Sequence, residues 1–304
     1  MRRGFLTALT EIAKADKNVI LLTGDLGFKV FEEFAKELPD QYLNCGVAEQ
    51  NMMGVAAGLA MSGKIPYVYS IVPFATLRCL EQIRADVCYQ NLNVKVIGVG
   101  GGFSYGELGS THAIMEDLAV LRALPNMTVL SGADIAETEA LMHLQYKHTG
   151  PSYLRLCNAG NYKIHDSRPR LEIGKPEVLK DGKDALVIGI GLQSVFCLEL
   201  AKELKDVDLK VVNIHTLKPI DTKAFLQQAQ SFEKIFTVEE HGVIGGLGSA
   251  VAELLAQSDW QGKLHMLGMA DMFSPVIGSS DYLRSQYGLD KGGIKKIILE
   301  NIKK

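Results

Sequence analysis

Several features of specialised protein classes are scarce or absent in this 304-residue sequence. Its 32 lysines and arginines are balanced by 35 aspartates and glutamates, so it lacks the positive excess of proteins that bind nucleic acids or membrane surfaces. Its five cysteines never form a Cys-x-x-Cys pair, and their odd number argues against a disulfide framework or a zinc site. Free thiols are typical of a reducing compartment, so we expect a cytoplasmic protein.

Long apolar runs are also missing. The sequence begins Met1-Arg2-Arg3, and four charged residues between positions 11 and 17 interrupt any apolar core. This pattern is neither a signal peptide nor a membrane span, so we expect no membrane partner and no nucleic-acid partner. An apolar content of 47% and a charged content of 22% are those of a globular protein.

Short apolar runs alternate with amphipathic segments along the whole chain. Residues 19–22 and 94–99 are typical of buried strands, whereas residues 3–15 have helical periodicity and a proline marks the start of a predicted helix at 73–84. This alternation predicts an α/β protein with two doubly wound domains and mainly parallel sheets. A polar, proline-containing stretch separates the two series. The predicted first domain, linker and second domain are residues 1–165, 166–183 and 184–304.

Residues 44–60 combine a loop with a helix of unusually small residues, and we predict that this helix is buried nearly all round. Glu49, at the helix start, is the one charged residue in the segment. Acids are common in first turns, where they complement the helix dipole. A carboxylate in a buried apolar element is costly, however, unless a function requires it. Both interpretations of Glu49 stay open on the pattern alone.

Two short segments give a family resemblance. Gly-Val-Ala-Glu-Gln-Asn-Met at 46–52 and Gly-Val-Ala-Ala-Gly-Leu-Ala at 54–60 resemble the pyrimidine-binding domain of transketolase and related thiamine-diphosphate enzymes. The resemblance implies that Glu49 is catalytic and bonds N1′ of the cofactor's aminopyrimidine. It implies further cofactor contacts along the first half of the chain. These are Asp25 and Leu26, Phe74 stacked on the ring, and Arg78 or Val72 at another ring-facing position.

A second motif, Gly-Ser-Thr-His-Ala-Ile-Met-Glu at 109–116, resembles the family's Gly-x-Thr-His-x-x-x-Glu segment. The resemblance implies that His112 is catalytic and faces the substrate. It also implies substrate contacts by Arg155 and Phe103, with Lys29 as a weaker candidate for a phosphate. The alternatives are a structural histidine at a helix start, a surface ion pair for Arg155 and, for Phe74, a plain core aromatic residue.

The glycine-rich segment 100–106 follows a predicted strand, a position where open α/β sheets bind ligands. It has no lysine and no P-loop spacing. Two positions depart from the family pattern. Leu108 stands where transketolases usually have an acid, and Gly100 lies near the place of a phosphate-facing histidine. The sugar-phosphate contacts implied by the resemblance are therefore incomplete.

The resemblance covers the second half of a full transketolase, including its C-terminal domain. The family's Gly-Asp-Gly and downstream Asn, which hold the diphosphate through a metal, are missing, so we predict no metal ligands in this chain. The resemblance thus implies a β subunit whose α partner holds Mg²⁺ and the diphosphate of thiamine diphosphate, in an α2β2 assembly acting on a sugar or sugar phosphate. Alternatives are half of a deoxyxylulose-phosphate synthase, a 2-oxo acid dehydrogenase β chain, or a non-catalytic scaffold paralogue.

Overall fold

The computed structural model describes residues 1–157, 160 and 162–302, and its strands form two sheets. The strands of the first sheet are β1 (Val19–Thr23), β2 (Tyr42–Asn44), β3 (Ile65–Ile71), β4 (Lys95–Val99), β5 (Thr128–Ser131), β6 (Ser152–Leu156) and β10 (Thr216–Lys218). Those of the second are β7 (Glu177–Lys180), β8 (Ala185–Gly189), β9 (Leu209–Asn213), β11 (Lys234–Gly242) and β12 (Lys263–Met269).

Helices cover both faces of the two sheets. Those of the first half are α1 (Arg2–Ala15), α2 (Glu32–Glu37), α3 (Glu49–Met61), α4 (Val72–Ala75), α5 (Leu80–Gln82), α6 (Asp117–Ala123) and α7 (Ile135–Lys147). Those of the second half are α8 (Leu192–Glu203), α9 (Thr222–Ala229), α10 (Leu247–Ala256), α11 (Ser280–Gln286) and α12 (Lys291–Ile302). Within the described residues, none of them is both long and apolar enough to span a bilayer.

The first sheet has the strand order β10-β5-β6-β4-β3-β1-β2, and the second has the order β12-β11-β8-β9-β7. All neighbouring strands are parallel except β10, which is antiparallel to β5, and β7, which is antiparallel to β9. The prediction of two α/β domains with mainly parallel sheets is confirmed. Because β2 and β3 lie on opposite sides of β1, the strand order reverses there, and such a reversal opens a crevice at the carboxyl ends of the strands.

Two strands cross the predicted domain boundaries. β7 lies within residues 166–183, which we predicted to be a linker. This strand instead extends the second sheet, because it pairs with β9 at the edge of that sheet. β10 lies in the predicted second domain but pairs with β5 of the first sheet. Neither pairing has a local sequence signal, since both depend on partners far away in the chain.

The prediction of one continuous helix at residues 73–84 is wrong. The segment forms α4, a turn, α5 and then a π-helix at Ile83–Cys88. The Thr76 hydroxyl donates to the Val72 carbonyl oxygen at 2.6 Å, and Thr76 has a φ of -119° and a ψ of -78°, well away from ideal helical values. A hydroxyl that bonds the preceding turn in this way competes with the helical ladder. The resulting turn places Arg78 at the protein surface.

The prediction that α3 is buried nearly all round is also wrong. One face packs in the core through Met52, Met53 and Ala56, but Gly54 and Gly58 are exposed, with open space where a side chain would point. Two of the small residues that indicated a buried helix, Gly54 and Gly58, therefore lie at the surface of the chain by itself.

A network of charged residues connects α7 to the segment between the two sheets. His165 Nε2 lies 2.8 Å from Glu177 Oε1, and its Nδ1 lies 3.3 Å from Asp134 Oδ2. Burial would lower the pKa of His165, but the bonds to Asp134 and Glu177 outweigh it and raise that pKa to about 10. Burial likewise opposes charge on Asp134, but hydrogen bonds from His165 and from the Glu137 amide lower its pKa to about 2.

The pH dependence of stability follows from these shifts. The folded-state pKa of His165 exceeds its ordinary 6.5, so its contribution is complete below that pH and is lost as the pH rises through about 10. We expect His165→Ala to lower the free energy of unfolding by about 3 kcal/mol at pH 7, because it removes the cation that faces both Asp134 and Glu177. Urea denaturation of both proteins at pH 7 and pH 10.5 should show that this difference shrinks at the higher pH.

His143→Ala is the matched control, since His143 pairs with Glu11 at 3.3 Å on the surface. Such a pair contributes about 1 kcal/mol or less. Equal losses in the two variants, or a His165→Ala effect that is unchanged at pH 10.5, would contradict the account of this network.

Candidate active site

Glu49 occupies the point where the strand order of the first sheet reverses. It begins α3, and its side chain is only 3% exposed. A Cβ atom on Gly24, directly after β1, would lie in ordinary contact at 3.4 Å from Glu49 Cγ, so a methyl-sized space lies beside the Glu49 side chain. Ser70, near the end of β3, places its hydroxyl oxygen 3.5 Å from Glu49 Oε1. The carboxylate thus lies over the crevice between β1 and β3.

Arg78 and Phe74 lie beside this carboxylate. Arg78 Nη1 donates to Glu49 Oε2 at 2.9 Å, and Arg78 Cζ lies 4.1 Å from the centroid of the Phe74 ring. This is a cation–π contact combined with an ion pair. The interrupted helix makes it possible, because the turn after α4 directs Arg78 back towards α3. The Arg78 side chain is 43% exposed, whereas Glu49 is enclosed.

His112 completes the group. It follows the 3-10 segment Phe103–Thr111, and its Nδ1 lies 2.9 Å from the Thr111 hydroxyl oxygen. Its ring meets the Phe74 ring edge-on, with 5.2 Å between centroids and an interplanar angle of 76°. Glu49, Phe74, Arg78 and His112 therefore form one continuous group, which we call the Glu49 cluster. It combines a carboxylate acceptor, an aromatic face and an imidazole.

The loop after β1 forms the neighbouring wall. Asp25 has a positive φ of 54°, and its Oδ1 accepts from Asn44 Nδ2 at 3.0 Å while its amide donates to Asn44 Oδ1 at 3.1 Å. This exchange fixes the carboxyl ends of β1 and β2 next to α3. Leu26 is half-buried in the same loop. Lys29 lies farther along on an exposed turn, where its amide donates to Glu32 Oε1.

Two predicted substrate contacts do not fit their positions. Arg155 is 2% exposed, and its Nε donates to Asp117 Oδ2 at 2.9 Å. Its Nη2 donates to the carbonyl oxygens of Ile114 and Glu240, so it is neither a surface ion pair nor open to a phosphate. Phe103 is 1% exposed and stacks on Tyr287 with 5.6 Å between ring centroids. We therefore assign Arg155 and Phe103 structural roles.

The glycine run 100–102 is filled by the protein's own side chains. A Cβ atom would overlap Tyr105 at Gly100, Arg155 at Gly101 and Glu240 at Gly102. The expected ligand loop is therefore a packing site, and the Tyr105 ring occupies the space beside Gly100 where a family histidine was considered. Sequence patterns could not reveal the contribution of Glu240, because it comes from β11 in the other half of the chain.

Two protein-family models match the chain. The family model of the transketolase pyrimidine-binding domain matches residues 1–161, and that of the transketolase C-terminal domain matches residues 174–294. The chain belongs to the transketolase family. The resemblance inferred from residues 46–60 is thereby confirmed, and the chain has the domain content of the β subunit of a split transketolase.

Individual relatives support this domain content. The chain is 36% identical to one of the subunits of an apulose-4-phosphate transketolase from Phocaeicola vulgatus, with 100% of this chain and 97% of the relative covered. It is 36% identical to a 6-deoxy-6-sulfo-D-fructose transketolase subunit of a Clostridium species, covering 95% and 90%. A solved split-gene transketolase, described as an inactive β4 tetramer, superposes with a TM-score of 0.91 at 36% identity, covering 99% and 98%.

The packing around Gly100 gives a testable consequence. Gly100 has a φ of 89°, so Gly100→Ala adds both backbone strain and overlap with the Tyr105 ring. We expect it to lower the free energy of unfolding by about 2 kcal/mol. In contrast, Gly292→Ala in α12 places its Cβ at ordinary distances of 3.6 Å and beyond, and should be neutral or slightly stabilising. Urea denaturation of both variants measures this, and a harmless Gly100→Ala would contradict the packing role.

Proposed function

We propose that this chain is the β subunit of a two-component transketolase and binds the aminopyrimidine half of thiamine diphosphate at the Glu49 cluster. The reaction transfers a two-carbon ketol unit between sugar or sugar-phosphate substrates. The observation that carries this proposal is the buried Glu49 carboxylate, which lies at the reversal of the strand order and is linked to the Phe74 face through Arg78. A solely structural first-turn acid would not need such a position.

The residues present fit the pyrimidine. Glu49 offers an enclosed acceptor whose partner Arg78 lies over the Phe74 ring, and a methyl-sized space lies beside it at Gly24. We propose that Asp25 and Leu26 form the wall of the site against which the pyrimidine ring would pack. When bound, the cofactor supplies the nucleophilic carbon that breaks and forms the carbon–carbon bond. Glu49 would hold a proton at N1′, and its low exposure would strengthen that bond by excluding water.

We assign substrate contact to His112. It is half-exposed and meets the Phe74 ring edge-on, so its imidazole can bond a substrate oxygen while leaving the Glu49 carboxylate free. Among the residues predicted to meet a phosphate, Arg155 is enclosed and Lys29 is exposed. Lys29 is therefore the predicted phosphate contact that a substrate could still reach.

We infer that a partner α chain completes the site and supplies the diphosphate contacts and Mg²⁺, in an α2β2 assembly. Exposed apolar residues lie close in sequence to Glu49 and Asp25. Val47, two residues before Glu49, is 75% exposed, and Phe28, three residues after Asp25, is 77% exposed. Such side chains favour burial against another protein. All five cysteines are free thiols, which supports the cytoplasm as the site of this assembly.

A reconstitution experiment tests this function. The purified chain should have no ketol-transferase turnover, as the related β4 tetramer is inactive. Adding a partner chain that carries Gly-Asp-Gly and the downstream Asn, with thiamine diphosphate and Mg²⁺, should restore it. Robust turnover by the chain alone would contradict the two-component design. Decarboxylation of pyruvate by the complex would instead identify a deoxyxylulose-phosphate synthase or oxo-acid dehydrogenase activity.

Glu49→Gln tests the catalytic carboxylate. Glutamine keeps the size and the hydrogen-bonding capacity of the side chain but cannot hold the proton as a carboxylate does. Turnover of the reconstituted complex at saturating cofactor should fall about a hundred- to ten-thousand-fold. Glu253→Gln is the matched control, because Glu253 also pairs with an arginine, Arg122 at 2.6 Å, but on the surface. Near-normal turnover of the Glu49→Gln complex would refute the mechanism.

His112→Ala separates substrate contact from cofactor binding. We expect turnover of the complex to fall about a hundredfold or more, while cofactor affinity stays within a few-fold of the original. The reason is that His112 touches Phe74 only at the ring edge, and its ring nitrogen lies next to Thr111 rather than Glu49. Fluorescence titration of the complex with thiamine diphosphate, beside a turnover assay, measures both quantities. Collapsed affinity with normal turnover at saturating cofactor would show that His112 is misassigned.

A further inference from the structure

Arg78 contacts both of the groups that the proposed function gives to the cofactor. Its planar guanidinium donates to Glu49 Oε2 at 2.9 Å and lies 4.1 Å above the centroid of the Phe74 ring. An aminopyrimidine that bonded Glu49 and stacked on this face of Phe74 would need the place that Arg78 occupies. Two planar groups cannot occupy one face of one ring at van der Waals distance.

We propose that Arg78 is a displaceable stand-in for the pyrimidine, which pairs with Glu49 and covers Phe74 until the cofactor enters and then swings away. This inference rests on the proposed function of Glu49 and Phe74. It changes the role that we expected for Arg78, from a ring-facing cofactor contact to a competitor for the cofactor's place.

The need for a stand-in follows from the burial of Glu49. A carboxylate that is 3% exposed is costly to leave without a partner, so the chain needs a cation there before the cofactor arrives. Arg78 supplies this charge from a turn rather than from a continuous helix, and the turn leaves its long side chain 43% exposed. The arginine end of the pair is therefore accessible to water, so Arg78 can leave once another group binds Glu49.

Arg155 provides a comparison, because it is an arginine that the fold holds in one position. It is 2% exposed and is held by Asp117 and by two backbone carbonyl oxygens. Arg78, in contrast, has one ion pair among the described residues, and the rest of its guanidinium faces the ring and solvent. The contrast in exposure and in number of partners identifies Arg78 as the arginine that can move.

Direct binding of a neutral probe to the full chain tests this inference. The probe is 4-amino-5-hydroxymethyl-2-methylpyrimidine, whose lack of charge removes any direct repulsion by Arg78, and ligand-observed NMR measures its dissociation constant. Arg78→Ala should tighten binding about fivefold, the typical contribution of a partly exposed ion pair. Arg84→Ala, which removes an equal charge at an exposed position six residues later, should leave the dissociation constant unchanged.

Salt provides a second readout that needs no variant. Raising the salt concentration from about 50 to about 500 mM partly screens the Glu49–Arg78 pair through its exposed arginine, so the unmodified chain should bind the neutral probe more tightly in high salt, though by less than Arg78→Ala tightens it. Arg78→Ala should lose this dependence. Weaker binding by Arg78→Ala would show that Arg78 is a ligand contact and would overturn the proposal. Unchanged affinity in Arg78→Ala would overturn it as well.

Phe74→Ala distinguishes this outcome from failure of the proposed function. If the probe binds at the Glu49 cluster, removal of the ring should weaken binding in both the unmodified and the Arg78→Ala chain. Binding that is unaffected by Phe74→Ala, or no binding by any of these chains, would overturn both the pyrimidine site and the stand-in role. Binding that depends on Phe74 but is not improved by Arg78→Ala would overturn the stand-in role alone.

Discussion

A carboxylate enclosed at the end of a parallel sheet is the constraint on which the candidate site depends. Glu49 is nearly inaccessible, and each neighbouring element accommodates it: Gly24 leaves space beside it, Ser70 approaches one oxygen, and Arg78 balances its charge at the other. An ionised group in such a place is unfavourable without partners. The unusual local structures nearby, above all the interruption between α4 and α5, are consistent with that requirement.

The second half of the chain stabilises the segment that carries His112. The Phe103 amide donates to Glu240 Oε1 at 2.7 Å, and the Ser280 hydroxyl donates to the Phe103 carbonyl oxygen at 2.9 Å. The Gly242 amide donates to the Met115 carbonyl oxygen at 2.7 Å. These bonds hold both ends of the segment that carries His112. The two sheets thus act as one unit, in which the C-terminal half positions a loop of the pyrimidine-binding half.

Local patterns were sufficient for the architecture but not for the details of the site. Alternating strands and helices predicted both α/β domains, and residues 46–60 predicted the family. The crossing of β10 into the first sheet and the enclosure of Arg155 depend on partners distant in sequence, so no short window contains them. The expectation that the glycine run 100–102 binds a ligand was wrong for the same reason, because Glu240, one of the side chains that fill this space, comes from β11.

The most direct test of the central claim is a structure of this chain assembled with its partner chain and thiamine diphosphate. The quantity to measure is the distance between the Glu49 carboxylate and N1′ of the aminopyrimidine. The account predicts a short hydrogen bond of about 2.7 Å, with the ring lying against Phe74. A pyrimidine bound elsewhere, or one that leaves Glu49 paired only with protein groups, would contradict it.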